Sequence, residues 1–241
     1  MTSAVGEIAI GASKQQAILT LLLLQQGSPV TTDGLITDLW PEGPPATART
    51  SLQTYVYRLR RILRPLEGVH LATHGSGYAL TVPDGSLDTE RFERSVDAGA
   101  AMLAQDEAAR AAEHLRDALA LWRGPLLPDA DLPVICQERE RLANMHVNAH
   151  ELLLDAELRT GLASRVIPDL ERLVRVHPFR EGLWAMLIRA LAKTGRRAEA
   201  LTAYQRVRDL LAQELGIEPS EELRRLQDDI LHARADAFPA G

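Results

Sequence analysis

One side of residues 46–63 (ATARTSLQTYVYRLRRIL) carries hydroxyl and guanidinium groups that could bind nucleic acid. The segment contains neither glycine nor proline, and at about 100° per residue a helix over it has an apolar stripe. The stripe consists of Leu52, Val56, Leu59 and Leu63. Arginine can read guanine edges or hold phosphate, and threonine can contact phosphate or the thymine methyl group. We therefore expect the opposite side to lie over a DNA major groove. That side presents Thr47, Thr50, Thr54, Tyr57, Arg58 and Arg61.

Further basic and polar residues flank this side of the helix. Five arginines lie between Glu42 and Glu67, and no acidic residue lies among them. The flanking residues are Gln53, Arg60 and Arg64, and with Arg49 the two arginines are expected to hold the DNA backbone. A solvated surface helix is the competing interpretation of any single basic helix. The neighbouring elements must decide between the two.

The residues before this helix predict a small helical domain. A strand is expected over residues 5–10, and Ser13 is expected to cap a leucine-rich helix over 14–26 that ends at Gly27. Thr32 or Asp33 is expected to cap a second helix over 34–39. The prolines of residues 40–45 cannot continue a helix, so this stretch predicts a turn before the basic helix.

The residues after the helix predict a β-hairpin. Strands are expected over 69–72 and 78–82, joined by a glycine-rich tip over 73–77 in which His74 and Ser76 could hold DNA backbone. Three helices, the third of them basic, followed by such a hairpin predict a winged helix-turn-helix. This combination favours DNA binding over the solvated surface helix.

These residues resemble the Streptomyces antibiotic regulatory protein family, whose DNA-binding part is similar to the OmpR-type winged helix. The likeness rests on Lys14-Gln15, Leu39-Trp40, Pro44-Pro45, Ala48-Arg49, Leu52-Gln53, Tyr55-Val56, Arg58-Leu59-Arg60 and Gly75-Ser76-Gly77-Tyr78. One departure concerns the small sheet that opens the winged helix in this family. Only twelve residues precede Ser13 here, enough for one strand and a remnant of another.

The second half of the chain predicts a helical repeat. Residues 83–86 form the expected linker, and helices are expected over about 88–102, 107–122, 133–160, 163–177, 179–194, 196–215 and 220–233. Gly161 matches Gly195 and Leu153 matches Leu187, a spacing of 34 that is the tetratricopeptide period. We expect the stripes Leu115/Leu119/Trp122 and Val174/Phe179/Leu183 to be core. The predicted fold is mainly α: a winged helix-turn-helix with a short β-hairpin wing over residues 1–83, then a TPR-like all-α repeat domain over 84–236.

This half resembles the bacterial transcriptional activation domain of the same family. The likeness is carried by residues 121–126, 177–178, 195–204 and 214–219. The resemblance implies a transcriptional activator of an antibiotic biosynthetic gene cluster that binds direct repeats in double-stranded promoter DNA as a side-by-side homodimer. It also implies contacts to RNA polymerase and its sigma factor. We expect the polymerase contact in the turn that contains Trp40, Glu42 and Gly43, and on the acidic helical domain.

Charge, composition and the absence of known motifs limit which other functions are expected. Residues 1–83 carry a net charge of +1 and the remainder −7, within a total of −6. No signal peptide, membrane span or disulfide is indicated, which predicts a cytoplasmic, nucleoid-associated protein with no membrane partner. No nucleotide-binding loop or catalytic motif occurs, so we expect no enzyme activity, cofactor or metal. His146 and His150 are expected to face solvent, as is the charge run over 138–141, and Cys136 is expected to be at least half-buried.

A second hypothesis comes from a different class of function. The chain could be a helical-repeat adaptor whose winged helix meets a protein instead of DNA, an alternative that the short N-terminal sheet leaves open. Salt-dependent binding to a promoter fragment separates the adaptor from the activator.

Overall fold

A computed structural model describes residues 2–3, 6–7 and 10–232. The helices in this part of the chain are α1 Ser13–Leu24, α2 Thr32–Leu39, α3 Ala48–Leu63, α4 Asp88–Ala104, α5 Ala108–Ala120, α6 Pro133–Arg159, α7 Ala163–Val176, α8 Glu181–Lys193, α9 Arg197–Glu214 and α10 Glu221–Leu231. The strands are β1 Thr2–Ser3, β2 Gly6–Glu7, β3 Val30–Thr31, β4 His70–His74 and β5 Gly77–Thr81. The mainly α fold predicted from the sequence is confirmed.

The chain divides into two compact units. The first comprises Met1–Arg91 and Arg123–Met145, and the second comprises Phe92–Trp122 and His146–Gly241. Both units are therefore discontinuous in sequence, and α6 contributes residues to each. The domain limits 1–83 and 84–236 stay a prediction, because packing units and sequence domains are different divisions of a chain.

The predicted apolar stripe of α3 lies in the core of the first unit. Leu52, Val56, Leu59 and Leu63 are buried. They pack in one cluster with Ile18 and Leu22 of α1, Leu35 and Leu39 of α2, Leu80 of β5, and Leu132 and Ile135. Because the stripe faces the core, the Thr/Tyr/Arg side of α3 faces outward.

The hairpin has a shorter tip than predicted and a third strand beside it. β4 and β5 pair antiparallel from His70↔Thr81 to His74↔Gly77, which leaves only Gly75 and Ser76 in the tip. β3 pairs with the other edge of β5 through Val30↔Tyr78 and Thr31↔Gly77. The sheet order is thus β3-β5-β4. The sequence does not predict β3 as a strand, because two residues carry no alternation pattern.

Gly77 permits this third strand. A Cβ atom on Gly77 would lie 2.0 Å from the carbonyl oxygen of Val30 and 2.9 Å from the Cα of Thr31. Both neighbours are backbone atoms that cannot rotate away. Only glycine therefore allows β3 and β5 to approach at this position.

Both predicted helix caps near the N-terminus were wrong. Ser13 is the first residue of α1, and the N-cap position is Ala12, which makes no side-chain cap. The cap of α2 is Thr31, whose hydroxyl accepts from the backbone N–H of Gly34 at 3.0 Å, so the assignment to Thr32 or Asp33 was wrong. The strand expected over 5–10 falls partly outside the described residues. Its described part, β2, pairs antiparallel with β1.

The 34-residue repeat of the second unit is visible in its turns. Gly161 and Gly195 both have positive φ, +82° and +77°. Past each glycine, a backbone N–H returns to the preceding helix: Leu162 to Glu157 at 3.0 Å, and Arg196 to Leu191 at 2.9 Å. The donors and the acceptors are each 34 residues apart, so the helix-ending geometry repeats with the sequence.

Several side chains lie elsewhere than predicted. Phe179 is 49% exposed, because it lies in the loop between α7 and α8, whereas Val174 and Leu183 are buried. Leu119 and Trp122 are only half-buried. The charge run is not fully solvated, since Arg139 donates to the carbonyl oxygens of Leu126, Leu127 and Ala130 at 2.6–2.8 Å. No helix of the described residues is long and apolar enough to cross a bilayer.

Candidate nucleic-acid interface

The outward side of α3 is open along its whole length. All six residues predicted to face a major groove are exposed, and the side chain of Tyr57 is 67% exposed. Thr47 occupies the N-cap position, while the other five lie within the helix. The hydroxyl of Thr54 donates to the carbonyl oxygen of Thr50 at 3.0 Å, so its oxygen lone pairs remain available as acceptors. The predicted DNA-facing residues therefore form one continuous solvent-facing surface.

The basic residues of α3 differ in what they already contact. Arg58, Arg61 and Arg64 are exposed, and within the described residues none of them forms a salt bridge. Arg49 pairs with Asp33 of α2 at 2.6 Å, with both side chains largely exposed. Such an exposed pair contributes little free energy and exchanges readily for another anion. Three guanidinium groups are therefore free to meet phosphate or bases, and a fourth is held by a weak pair.

Arg60 joins α3 to the hairpin. Its Nε donates to the carbonyl oxygen of Leu71 at 2.9 Å, and an Nη donates to the hydroxyl of Thr73 at 2.7 Å. Its guanidinium carbon also lies 5.9 Å from the centre of the Tyr78 ring. The sequence indicated Arg60 as a backbone-holding residue, and that role stays a prediction. In the structure the guanidinium is engaged in fixing the hairpin against α3.

The hairpin tip is tied to the start of α2. Ser76 and His74 are both exposed, as a contact to DNA backbone requires. The carbonyl oxygen of Ser76 accepts from the N–H of Thr32 at 3.0 Å and from its hydroxyl at 2.6 Å. The tip is thereby held at a defined place beside the helices instead of extending freely. Thr32 acts as an anchor for the hairpin and not as the helix cap predicted from the sequence.

The turn between α2 and α3 is partly built into the core. Trp40 is half-buried and packs against the core cluster of the first unit. The Nζ of Lys14 donates to the carbonyl oxygen of Leu39 and lies 5.1 Å from the centre of the Trp40 ring. Glu42 and Gly43 are exposed. Of the three residues predicted to contact polymerase, two are thus open to a partner and one mainly anchors the turn.

Residues that position the site were missed in the sequence. They are Thr32, Asp33, Leu71 and Thr73, each of which binds a residue of α3 or of the hairpin tip. The sequence holds only a weak sign that Asp33 pairs with α3: it is the acidic residue in the first turn of α2. Leu71 acts through its backbone carbonyl, which no residue type could reveal. Among the described residues there is no group of three or more His, Cys, Asp or Glu that could hold a metal ion.

Two protein-family models match consecutive parts of the chain. The model described as "Transcriptional regulatory protein, C terminal" matches residues 7–80, and the model described as "Bacterial transcriptional activator domain" matches residues 87–231. The Regulatory protein DnrI of Streptomyces peucetius is 37% identical over 92% of this chain and 85% of its own length. The chain belongs to the Streptomyces antibiotic regulatory protein family. Members of this family are regulators of transcription and not enzymes, as the absence of catalytic motifs predicted.

Mycobacterial members of the family are similar as well. The Transcriptional regulatory protein EmbR of Mycobacterium tuberculosis is 41% identical over 92% of this chain and 58% of its own length. A solved structure of EmbR in complex with a low-affinity phosphopeptide superimposes with a TM-score of 0.87 at 39% identity. That likeness covers 96% of this chain and 61% of the solved chain. The present chain thus spans about three fifths of EmbR.

Proposed function

We propose that this family member is a sequence-specific activator that binds double-stranded promoter DNA through the outward side of α3. The observation that carries the proposal is the composition of that surface. Arg58, Arg61 and Arg64 are exposed without salt bridges in the described residues, and exposed threonine and tyrosine side chains precede them along the helix. No acidic residue lies on α3. The arginines of such a surface can bind DNA phosphates, which releases the counterions of the DNA, and can present hydrogen-bond donors to base edges.

The contacts around α3 support this function. An α-helix fits the major groove only when the rest of the domain stays clear of the duplex. The apolar stripe holds the helix to the core from behind, while Arg60 and Thr32 hold the hairpin beside it. His74 and Ser76 in the hairpin can then meet the neighbouring backbone. Arg49 can release Asp33 for a phosphate, because an exposed ion pair is worth only about 0–1 kcal/mol.

Several finer features of the activator follow from family membership and are part of the proposal. The sites are direct repeats upstream of a secondary-metabolite (antibiotic) gene cluster, occupied by a side-by-side homodimer. Glu42 and Gly43, next to the anchored Trp40, contact the sigma factor or another part of RNA polymerase. The acidic second unit adds to polymerase recruitment. The protein acts in the cytoplasm on the nucleoid.

Footprinting tests the proposal most broadly. DNase I protection by the full chain would be mapped on the DNA upstream of its own and neighbouring genes. We expect two protected half-sites of the same orientation, with centres separated by about 10–11 base pairs or a multiple of that repeat. Protection of a single half-site or of inverted repeats would contradict the side-by-side arrangement. No protection of any fragment would contradict DNA recognition itself.

The same fragments distinguish the activator from the adaptor. For an activator, the logarithm of the binding constant falls linearly with the logarithm of the salt concentration, with a slope of about −0.9 per phosphate contact. The protected fragment should also bind more tightly than a random duplex of equal length. Equal, weak binding to both duplexes would favour the adaptor, whose winged helix contacts a protein instead.

A further inference from the structure

A groove in the second unit has a polarised charge pattern over an apolar floor. Its volume is about 280 Å³, and its floor consists of Val174 of α7, Leu187 and Leu191 of α8, and Ala203 of α9. These floor residues are largely buried. Typical small-molecule sites occupy roughly 300–1,000 Å³, so the groove is at the lower end of that range. It is large enough to receive an apolar side chain.

The rim of the groove is acidic at one end and basic at the other. Going along α7, Glu171 comes one helical turn before Arg175, and along α9, Glu199 comes two turns before Arg206. α7 and α9 run in the same direction because α8 returns between them. The two glutamates therefore lie at one end of the groove and the two arginines at the other.

The acidic end of the groove is only partly neutralised, because one arginine faces two glutamates. Arg196 donates to both carboxylate oxygens of Glu199, at 2.7 and 2.6 Å. This hydrogen bond lowers the pKa of Glu199 and raises the pKa of Arg196, and the negative charge of Glu171 adds to the rise at Arg196. Arg196 thus faces both glutamates. A ligand gains little from their charge.

The basic end has no such compensation. Arg175 and Arg206 are exposed, and within the described residues neither forms a salt bridge. Arg206 lies 5.7 Å from the centre of the buried Trp184 ring, which orients its guanidinium without neutralising it. The groove thus has two guanidinium groups at one end that no salt bridge in the described residues compensates.

We propose that this groove is a docking site for a short acidic protein segment that inserts one apolar side chain. The apolar anchor fills the space above Leu187, Leu191 and Ala203, and carboxylates on one side of the anchor meet Arg175 and Arg206. Duplex DNA would offer phosphates to the arginines, but the methyl group of thymine lies within the major groove, where it cannot enter a groove on the protein surface. The apolar floor therefore favours a protein segment. The proposal does not depend on DNA binding by α3.

Fluorescence anisotropy with labelled short peptides tests the proposal on the full chain. One peptide pool has a central Leu, Ile, Phe or Met followed by Asp and Glu. A second pool has Lys and Arg in place of the acids, and a third has a central Gly. We expect saturable binding of the first pool, at least about tenfold tighter than binding of either other pool. Saturation of the first pool should require less than about 1 mM peptide.

Variants assign the binding to the groove. The double variant Arg175→Glu/Arg206→Glu should bind the first peptide pool at least about tenfold more weakly than the native protein. The affinity of Arg175→Lys/Arg206→Lys for the same pool should stay within about threefold of the native value. Arg165→Glu, an exposed change on α7 that does not line the groove, is the matched control and should have no effect. Circular dichroism and thermal melting would show that each variant is folded.

Four results would overturn the proposal. The first is the absence of saturable binding by the first pool, and the second is binding of the basic or glycine pool as tight as that of the first pool. The third is unchanged affinity of the charge-reversed variant for the first pool, and the fourth is displacement of the bound peptide by a random DNA duplex. The last result would indicate a phosphate site. The peptides are measured without DNA, so a failure here leaves promoter binding by α3 untouched, and a failure of promoter binding leaves the groove untouched.

Discussion

Arg60 of the basic helix donates to the hydroxyl of Thr73 in the hairpin at 2.7 Å, and the same guanidinium holds the carbonyl oxygen of Leu71. The helix expected to enter the major groove and the hairpin expected to lie on the neighbouring backbone are therefore joined by one side chain. Their relative placement is built into the first unit before any DNA is present. This link explains how two exposed elements could meet a duplex together.

The link predicts a measurable coupling between the two residues. Arg60→Ala, Thr73→Val and the double variant would be compared by urea unfolding in a double-mutant cycle. We expect Arg60→Ala to reduce the free energy of unfolding by about 1 kcal/mol, with a coupling of roughly 0.5–1 kcal/mol between the sites. Additive effects would show that the hydrogen bond does not contribute. A shallower salt slope of DNA binding in Arg60→Ala would instead support a direct phosphate contact.

The close approach of Gly77 to β3 predicts a strong effect of a small substitution. Gly77→Ala would place a methyl group against the carbonyl of Val30, so β3 must separate from β5. We expect a loss of roughly 2 kcal/mol or more in the free energy of unfolding, measured by urea unfolding. Gly75→Asn is the matched control, because the tip has open space and asparagine tolerates its positive φ of +57°. Equal stability of the two variants would contradict the described strand pairing.

The second unit holds an ion pair between a buried glutamate and an exposed arginine, and this predicts that two similar arginine substitutions differ in cost. Glu157, with a side chain 8% exposed, accepts from Arg116 at 2.7 Å. Arg116→Leu would leave this carboxylate buried without its partner, and we expect a loss of about 1–3 kcal/mol. Arg110→Leu, on the same helix, breaks only an exposed pair with Glu107 and should cost less than about 0.5 kcal/mol. Thermal melting would rank the two, and a larger loss for Arg110→Leu would refute the argument.

Two neighbouring histidines predict a pH dependence of the second unit. The His146 ring stacks on Trp122 with centroids 4.2 Å apart and meets His150 edge-on at 4.7 Å. Burial, followed by the nearby charges of His150 and Arg172, lowers the pKa of His146 to about 4. The pKa of His150 is also lowered, mainly by burial. Both histidines are half-buried, so the expectation that they face solvent was wrong.

The lowered pKa of His146 determines how the stability of the folded protein depends on pH. The unfolded chain binds a proton at His146 near pH 6.5, whereas the folded protein binds it only near pH 4. Stability is therefore unaffected above pH 6.5 and falls as the pH drops from 6.5 towards 4. We expect the melting temperature to fall more between pH 7 and pH 5 in the native protein than in His146→Gln. An identical fall in both would show that His146 does not contribute to this pH dependence.

The elements around the site could be predicted where a periodic apolar pattern marked them. The stripe from Leu52 to Leu63 fixed both the helix and its outward side, and the glycine-rich tip marked the hairpin. Boundaries decided by local geometry were less accessible. Thr31, Thr32 and Asp33 can all cap a helix, and only the structure shows that Thr31 does so while Thr32 holds Ser76. β3 could not be predicted, because it forms only through the space above Gly77.

Side-chain environments in the second unit were harder to predict than its helices. The 34-residue repeat located the turns at Gly161 and Gly195. Phe179 matched an apolar stripe but lies in a loop, where helical spacing no longer applies. Arg139 belongs to a charge run by composition, yet its guanidinium is held by three carbonyl oxygens. Such contacts form between segments that are separated in the sequence, and a local residue pattern does not reveal which segments come together.

The central claim is that the outward side of α3 reads promoter DNA, and Arg58→Ala tests it most directly. Binding to the footprinted promoter fragment and to a random duplex would be measured by anisotropy over a range of salt concentrations, with Arg165→Ala as the control. We expect Arg58→Ala to weaken promoter binding by about 1–3 kcal/mol with a smaller loss on the random duplex, as for a base contact. An equal loss on both duplexes with a shallower salt slope would assign Arg58 to phosphate. Unchanged binding to the promoter would contradict the role of this surface.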